Sequence, residues 1–502
     1  MPLTEAEQLR LAQALYRERF SAFCYRAFSV VNPGEKIEWN WHLDLLCAAL
    51  ESVYRGEIPR IIINMPPRAL KSFVCSICFP AWVMGKEPHE KFMVASHTLR
   101  PLATKLSNDS RTLIESEWYQ SVFPMRLKKA TETELYTTQN GHRLTFAALQ
   151  SPVGMGCNYG ILDDVNRPDE ALSDVIRPKT NTWLDQNFFS RFNDYRTGKV
   201  IVVMQRVHED DVTGHLLAKG GYYHLKLPAE FKSPPTYTIN GEEFKPDNPN
   251  LLFPARLPDT VLREKENDLG SYAYAGQFLQ SPVPIGGGMF KETWIKWYDP
   301  LTYNPAPCNV YILVDPANSK KKSSDWTAMQ VVGLAPDNNY YLLDMVRDKF
   351  NPTERINKLF ELHRKWNARL NKPPKVGYEE YGLASDIHYI EQKQKQDSYN
   401  FPIIPLKGKA AKNDRIARLI PDMENGRWYF PEGGIAYTDL RGIRFDLVQE
   451  LIKTEMMTFP VSKHDDCLDA LARVLDEDLE ARFPKLIRRS AQVSSYQSPW
   501  EF

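Results

Sequence analysis

The chain has 502 residues, 43% hydrophobic and 25% charged, with 63 Lys and Arg balancing 63 Asp and Glu. That length exceeds what one hydrophobic core serves, so two domains are expected, and the ordinary globular composition excludes a disordered or collagen-like chain. With formal charge balanced, any nucleic-acid contact must use local basic clusters rather than a general positive field.

Seven cysteines (24, 47, 75, 78, 157, 308, 467) show no repeated pair spacing and fit a reducing cytosol. Cys75 and Cys78 have the spacing of a zinc or redox pair, but they lie in the apolar run SFVCSICFPAWV with no second pair after them. They read as buried helix cysteines. The N-terminus carries acids early, and no stretch reaches the roughly 20 apolar residues of a membrane span. Neither secretion nor membrane insertion is expected.

In chain order, Leu9 to Tyr54 is helical in pattern. RIIINMPP then reads as an apolar strand stopped by prolines, and LKSFVCSICFPAWV resumes as a helix. Further strands are expected at 91–96, 143–149, 159–164 and 199–205, giving a mostly parallel α/β sheet. From Phe231 to Phe290 the periodicity fades, with a short helix around LREKENDLGSYAYAGQF. A linker or small subdomain is therefore placed at 231–290, between a first domain at 1–230 and a second α/β domain at 291–480. Residues 481–502 look like a flexible tail.

In NMPPRALKS, Lys71 and Ser72 sit where a strand turns into a helix. Backbone N–H groups there can surround a phosphate while Lys71 reaches its oxygens and Ser72 holds magnesium. YGILDD brings Asp163 and Asp164 to the end of an apolar strand, Asp163 for the magnesium shell and Asp164 to polarise an attacking water. An Asp-rich turn is the plain alternative for that pair.

Two-metal phosphodiester cleavage needs several carboxylates around paired hard cations. Asp315 ends the strand VYILVDP. Glu379 and Glu380 in KVGYEEYG face opposite sides of a strand, so only one can be a ligand. His464, Asp465 and Asp466 open the amphipathic helix SKHDDCLDALARVLD, where acids also suit the helix dipole. Asp325 is a possible fourth acid. Lys320, Lys321 and Lys322, and then Lys407, Lys409, Lys412 and Arg415, form basic clusters suited to phosphate contact without sequence readout, or to plain solubility.

Over residues 39–476 these segments, with WNWHLDLLCAALESVYRGEIPR, VIVVMQRVHEDDVTGHLL and GQFLQSPVPIGGGMFKETW, resemble the large subunit of tailed-bacteriophage terminases. The resemblance implies an N-terminal P-loop packaging ATPase and a C-terminal RNase H-like nuclease. It makes Arg68 the loop arginine of a viral Walker A variant, with Leu70 standing where glycine is usual. Trp41 and His42 would flank the adenine, and Gln205 and Arg206 would sense the γ-phosphate. Glu379 is preferred over Glu380, and Asp466 is the expected metal ligand with Asp465 and Asp469 close by.

The implied cofactors are ATP and Mg2+, with Mn2+ an alternative at the nuclease site. The implied activity is ATP-driven translocation of viral double-stranded DNA and metal-dependent cutting of concatemers. Its partners would be that DNA, the portal of the procapsid, the terminase small subunit and further copies in a ring. The place would be the host cytoplasm, with transient residence on the portal and absence from the mature virion. Two other readings stand beside it: a nuclease whose ATPase is degenerate at Leu70, and a scaffold that has lost both chemistries, against which the retained Lys71, Asp163, Asp315 and Glu379 weigh.

Overall fold

The computed structural model describes residues 4–150, 154–282, 288–316, 326–408, 410–438, 442, 444–460, 462 and 464–485. The chain divides into two compact units, residues 1–287 and 288–502. Among the described residues no helix is long and apolar enough to cross a membrane.

In unit 1, helices Glu5–Glu18, Phe20–Val31 and Trp41–Arg55 lead into strand β1 (Arg60–Asn64). The first helix starts with a Thr4–Glu7 capping box, which satisfies two orphan backbone donors. The remaining strands of its main sheet are β2 (Lys91–Ser96), β3 (Leu127–Ala130), β4 (Glu134–Thr137), β5 (His142–Ala147), β6 (Tyr159–Asp163), β7 (Lys199–Met204) and β8 (Tyr223–Lys226). Their spatial order is β3-β4-β5-β2-β6-β7-β1-β8. From β5 to β8 every neighbouring pair is parallel, and β3 and β4 add an antiparallel edge.

The central strands are apolar throughout because both faces are covered. Ile61 and Ile63 pack with Leu46, Leu50, Phe79 and Trp82 on one side. Ile62 packs with Met93, Leu162, Trp183 and Val202 on the other. Because β7 separates β1 from β6, a loop leaving β1 and the acids ending β6 face one another across a strand at the carboxyl edge of the sheet.

The stretch expected as a linker holds a hairpin of β9 (Tyr237–Ile239) and β10 (Glu242–Phe244), then helix Asp259–Gln277. Ile239, Phe244, Leu252 and Phe253 join the core that covers β1.

Unit 2 is built on β11 (Lys296–Tyr298), β12 (Asn309–Asp315), β13 (Thr327–Leu334), β14 (Tyr340–Asp348), β15 (Lys375–Glu379), β16 (Ile403–Leu406) and β17 (Trp428–Pro431), in the order β11-β17-β14-β13-β12-β15-β16. β12, β13 and β14 form an antiparallel meander. The chain then returns through helix Pro352–Asn367 to lay β15 parallel to β12, and through helix Glu380–Asp397 to lay β16 parallel to β15. Val314 is in register with Tyr378, so Asp315 and Glu379 leave the sheet side by side. Helix Asp466–Ala472 lies against β12 and β13. Ile312, Val314, Val331, Leu359, Phe360 and Tyr378 are among the residues of this core.

Candidate active sites

The loop between β1 and the helical run beginning at Lys71 takes an unusual backbone path. Arg68 and Leu70 both have left-handed torsions, φ 64° and 66°. A Cβ makes that region costly, which is why glycine is favoured there. Leu70 holds the torsion while its side chain packs against the unit 1 core, and its carbonyl accepts the Val74 N–H at 3.1 Å. Arg68 is exposed.

Lys71 is buried and places Nζ 2.9 Å from Oδ2 of Asp164. Ser72 donates its hydroxyl to Oδ1 of Asp163 at 2.9 Å, and Ser76 donates to Oδ2 at 2.6 Å. Burial and the neighbouring Asp164 charge push Asp163 up to about 6, opposed by Ser76, Lys71 and Ser72. Asp164 itself accepts the Gln205 backbone N–H at 3.0 Å. Lys71, Ser72, Asp163, Asp164 and Gln205 are thus brought together at the carboxyl edge of the sheet.

Three expectations are corrected here. Trp41 and His42 are interior residues: Trp41 donates its indole N–H to the Leu252 carbonyl at 3.2 Å and stacks on Tyr237. His42 contacts the Ala69 carbonyl at 3.2 Å and Asn40 at 2.6 Å, so it props the phosphate loop from behind. Neither has a face left for an adenine. Arg206 is equally committed, with Nε 2.9 Å from both Asp211 oxygens and Nη2 on the His208 and Glu209 carbonyls.

Sequence reading missed Ser76 and Arg143. Ser76 follows Ser72 by one helical turn, the one signal that was available. Arg143 is wholly buried in β5 and donates to the Ser76 carbonyl at 2.9 Å, a contact that spacing cannot reveal.

In unit 2, Asp315 is raised well above the ordinary carboxylate range by burial and by the Asp469 and Glu379 charges, with Arg473 and Lys412 opposing. Glu379 accepts Arg473 Nη2 at 2.7 Å. Asp466 accepts the Trp326 N–H at 3.2 Å and lies 3.5 Å from Lys412 Nζ, while Asp465 is 2.6 Å from the same ammonium. The helix carrying these acids is braced by the buried Glu455, which accepts the Leu468 N–H at 2.7 Å. Among the described residues the trio whose ligand atoms lie within 4.8 Å of one another is elsewhere, at Glu87, His89 and Glu90 before β2. The acids of unit 2 are spread apart on cationic side chains instead. As a donor set they fit hard divalent cations: several carboxylate oxygens whose mutual repulsion only positive charge relieves.

Residues 312–477 match the family model for the terminase RNaseH-like domain. Unit 2 carries a terminase RNaseH-like domain. The matched stretch of this terminase domain contains Asp315, Glu379, Asp466, Asp469, Arg415 and Arg473.

Among solved structures, the chain is similar to the large terminase of a thermophilic bacteriophage in complex with ADP, at 14% identity over 79% of this chain and 88% of that one, TM-score 0.46. It is similar to the HK97 bacteriophage large terminase at 12% identity over 91% and 98%, TM-score 0.35. It is also similar to the large terminase nuclease from thermophilic phage G20c with bound magnesium, at 15% identity over 38% and 97%, TM-score 0.24. No curated protein matches the chain.

The terminase domain also revises the basic clusters and the paired glutamates. β15 ends at Glu379, and Glu380 opens the next helix as an exposed residue, so the two do not share a strand as expected. Arg415 is buried against Asp469, and Lys412 is turned onto Asp465 and Asp466, so neither presents a free cation to a passing backbone. Lys407 is exposed. Lys320, Lys321, Lys322, Asp325 and Lys409 lie outside the described residues.

Proposed function

We propose that the chain is a terminase large subunit: unit 1 hydrolyses ATP to drive viral double-stranded DNA into a procapsid, and unit 2 cuts concatemeric DNA. The observation that carries this reading is the pairing of Lys71 with Asp164 and of Ser72 with Asp163 at a strand–loop–helix junction, in the same chain as a terminase RNaseH-like domain.

In this reading Lys71 and the loop N–H groups bind the ATP phosphates. Moving Lys71 onto phosphate releases the Asp164 carboxylate, which polarises the attacking water while the Gln205 N–H keeps it oriented. Ser72 and Asp163 would hold magnesium beside the nucleotide, and Asp315, Glu379 and Asp466 would hold magnesium or manganese at the nuclease site. When bound, these cations supply Lewis-acid charge to phosphoryl oxygens and make a water more acidic. Arg473 pairs with Glu379 and Lys412 with Asp466, which offsets part of the carboxylate repulsion while no cation is bound. Arg68, exposed at the loop, adds positive charge near the phosphates.

The partners that go with this function are the viral DNA, the portal of the procapsid, a terminase small subunit and further copies of the chain in a ring. The setting is the host cytoplasm, with residence on the portal during packaging.

Purified protein assayed with ATP, magnesium or manganese, and linear or supercoiled DNA tests it. DNA-stimulated ATP hydrolysis together with plasmid cutting is the expected result. Cutting without DNA-stimulated hydrolysis would leave a nuclease alone, and the absence of both activities would overturn the proposal.

A further inference from the structure

Asp164 adopts a left-handed backbone conformation, φ 45°, which is uncommon for a residue with a Cβ although aspartate tolerates it better than most. It is fixed at four points. Oδ2 meets Lys71 at 2.9 Å, Oδ1 accepts the Gln205 N–H at 3.0 Å, and its own N–H reaches the Val203 carbonyl at 3.0 Å. The fourth is its carbonyl oxygen, 2.7 Å from Nδ1 of His97. A carbonyl only accepts, so Nδ1 carries the proton and His97 is the donor.

His97 directly follows β2, whose last residue, Ser96, is in register with Asp163. The ring is therefore delivered to the Asp164 backbone by the strand neighbouring β6, on the side away from β7 and the phosphate loop. It contacts the Asp164 carbonyl at 2.7 Å.

We infer that His97 is a positioning residue for ATP hydrolysis, fixing the Asp164 main chain and through it the direction of the carboxylate; the inference rests on Asp164 polarising the attacking water. When Lys71 moves to phosphate, one of the four anchors is lost. The strained torsion then depends on the remaining three, of which His97 alone holds the carbonyl side of the residue. Without it the peptide after Asp164 can rotate toward an ordinary conformation, carrying the Cα–Cβ direction with it. Nucleotide binding through Lys71 and the loop does not pass through His97, so turnover and affinity should separate.

The test uses His97→Phe, which keeps a ring of similar size without the donor, and His97→Asn, which restores an N–H donor without the ring. Asp164→Asn is run beside them, all in the full chain. His97→Phe is expected to lower kcat for ATP at least about tenfold while KM stays within about threefold, and His97→Asn to recover to within about threefold of wild type. Plasmid cutting and thermal unfolding like wild type show that each variant is folded. Wild-type turnover by His97→Phe beside an inactive Asp164→Asn would overturn the inference and leave the role of Asp164 standing. A His97→Asn protein as slow as His97→Phe would also overturn it, since ring packing rather than the donor would then be responsible. Wild-type turnover by Asp164→Asn would remove the role of Asp164, and this inference with it.

Discussion

Arg415 and Asp469 meet through two parallel bonds, 2.6 Å from Nε and 2.7 Å from Nη2, with both side chains nearly excluded from solvent. Asp469 spends both oxygens on that guanidinium, whereas Asp466 meets the Trp326 N–H at 3.2 Å and the Lys412 ammonium at 3.5 Å and shares no such bidentate bond with either. The two acids should therefore fail differently when neutralised. Asp469→Asn leaves a buried guanidinium without its counter-charge and should destabilise unit 2 by about 3–5 kcal/mol. Asp466→Asn should leave the unfolding midpoint nearly unchanged and almost eliminate DNA cutting in magnesium or manganese. Thermal unfolding and plasmid cleavage on the two variants decide it; equal stability for both would show that the guanidinium contact has no structural weight.

Lys71 is the ammonium facing Asp164, in a different unit from Asp315. Lys71→Ala should reduce ATP turnover at least about a hundredfold, because the phosphates lose their charge partner in a dry site. Metal-dependent plasmid cutting should persist. Undiminished hydrolysis would refute the phosphate-site assignment.

Leu70 holds φ 66° against its own Cβ. Glycine takes that torsion without the penalty, which is of the order of 1–2 kcal/mol. Leu70→Gly should accordingly raise ATP affinity or turnover by a factor of roughly 5 to 10, read in steady-state kinetics. Collapse of activity would mean that the packing of Leu70 on the unit 1 core, rather than the torsion alone, shapes the loop.

Burial pushes His42 down to about 4, outweighing the Ala69 carbonyl that favours its protonated form. An unfolded histidine titrates near 6.5. Between those values the unfolded chain binds a proton that the folded chain refuses. The contribution is therefore intact above pH 6.5 and is lost as pH falls toward 4, by roughly 3 kcal/mol at the low end. His142, His208 and His224 in the same unit are lowered to about 4 as well and act in the same direction. The unfolding midpoint of unit 1 should drop across this window, and His42→Gln should flatten the drop. An unchanged slope in that variant would contradict the assignment.

The strands at the two sites were readable because each is an apolar run ended by a proline or an acid. β6 was expected at 159–164 and spans Tyr159–Asp163, and the 143–149 strand is β5 at His142–Ala147. Lys71 and Ser72, after the loop that leaves β1, were expected to meet Asp163 and Asp164 at the end of β6, and the structure brings the four together. What sequence did not show is which charges meet in space. Lys412 and Arg415 read as exposed phosphate contacts until the helix that bears them turned both onto acids more than 50 positions later. Arg473 and Glu379 are separated by 94 positions and meet at 2.7 Å. Arg206 and His42 have the polarity of ligand contacts and serve as internal anchors, a distinction that depends on burial and not on residue type.

All seven cysteines are free and buried, and burial raises the thiols of Cys24, Cys75 and Cys467 well above their ordinary range and Cys157 to about 12. Since the thiolate is the reacting species, none of these four offers an appreciable nucleophile at neutral pH. With all seven thiols buried, labelling of the folded native chain by maleimides should be slow. A single cysteine introduced at an exposed position, such as Ser190 in unit 1 or Leu301 in unit 2, can carry a fluorophore without stripping the native thiols from the core. Paired dyes at such positions would report the separation of the two units through a cycle of nucleotide binding and release.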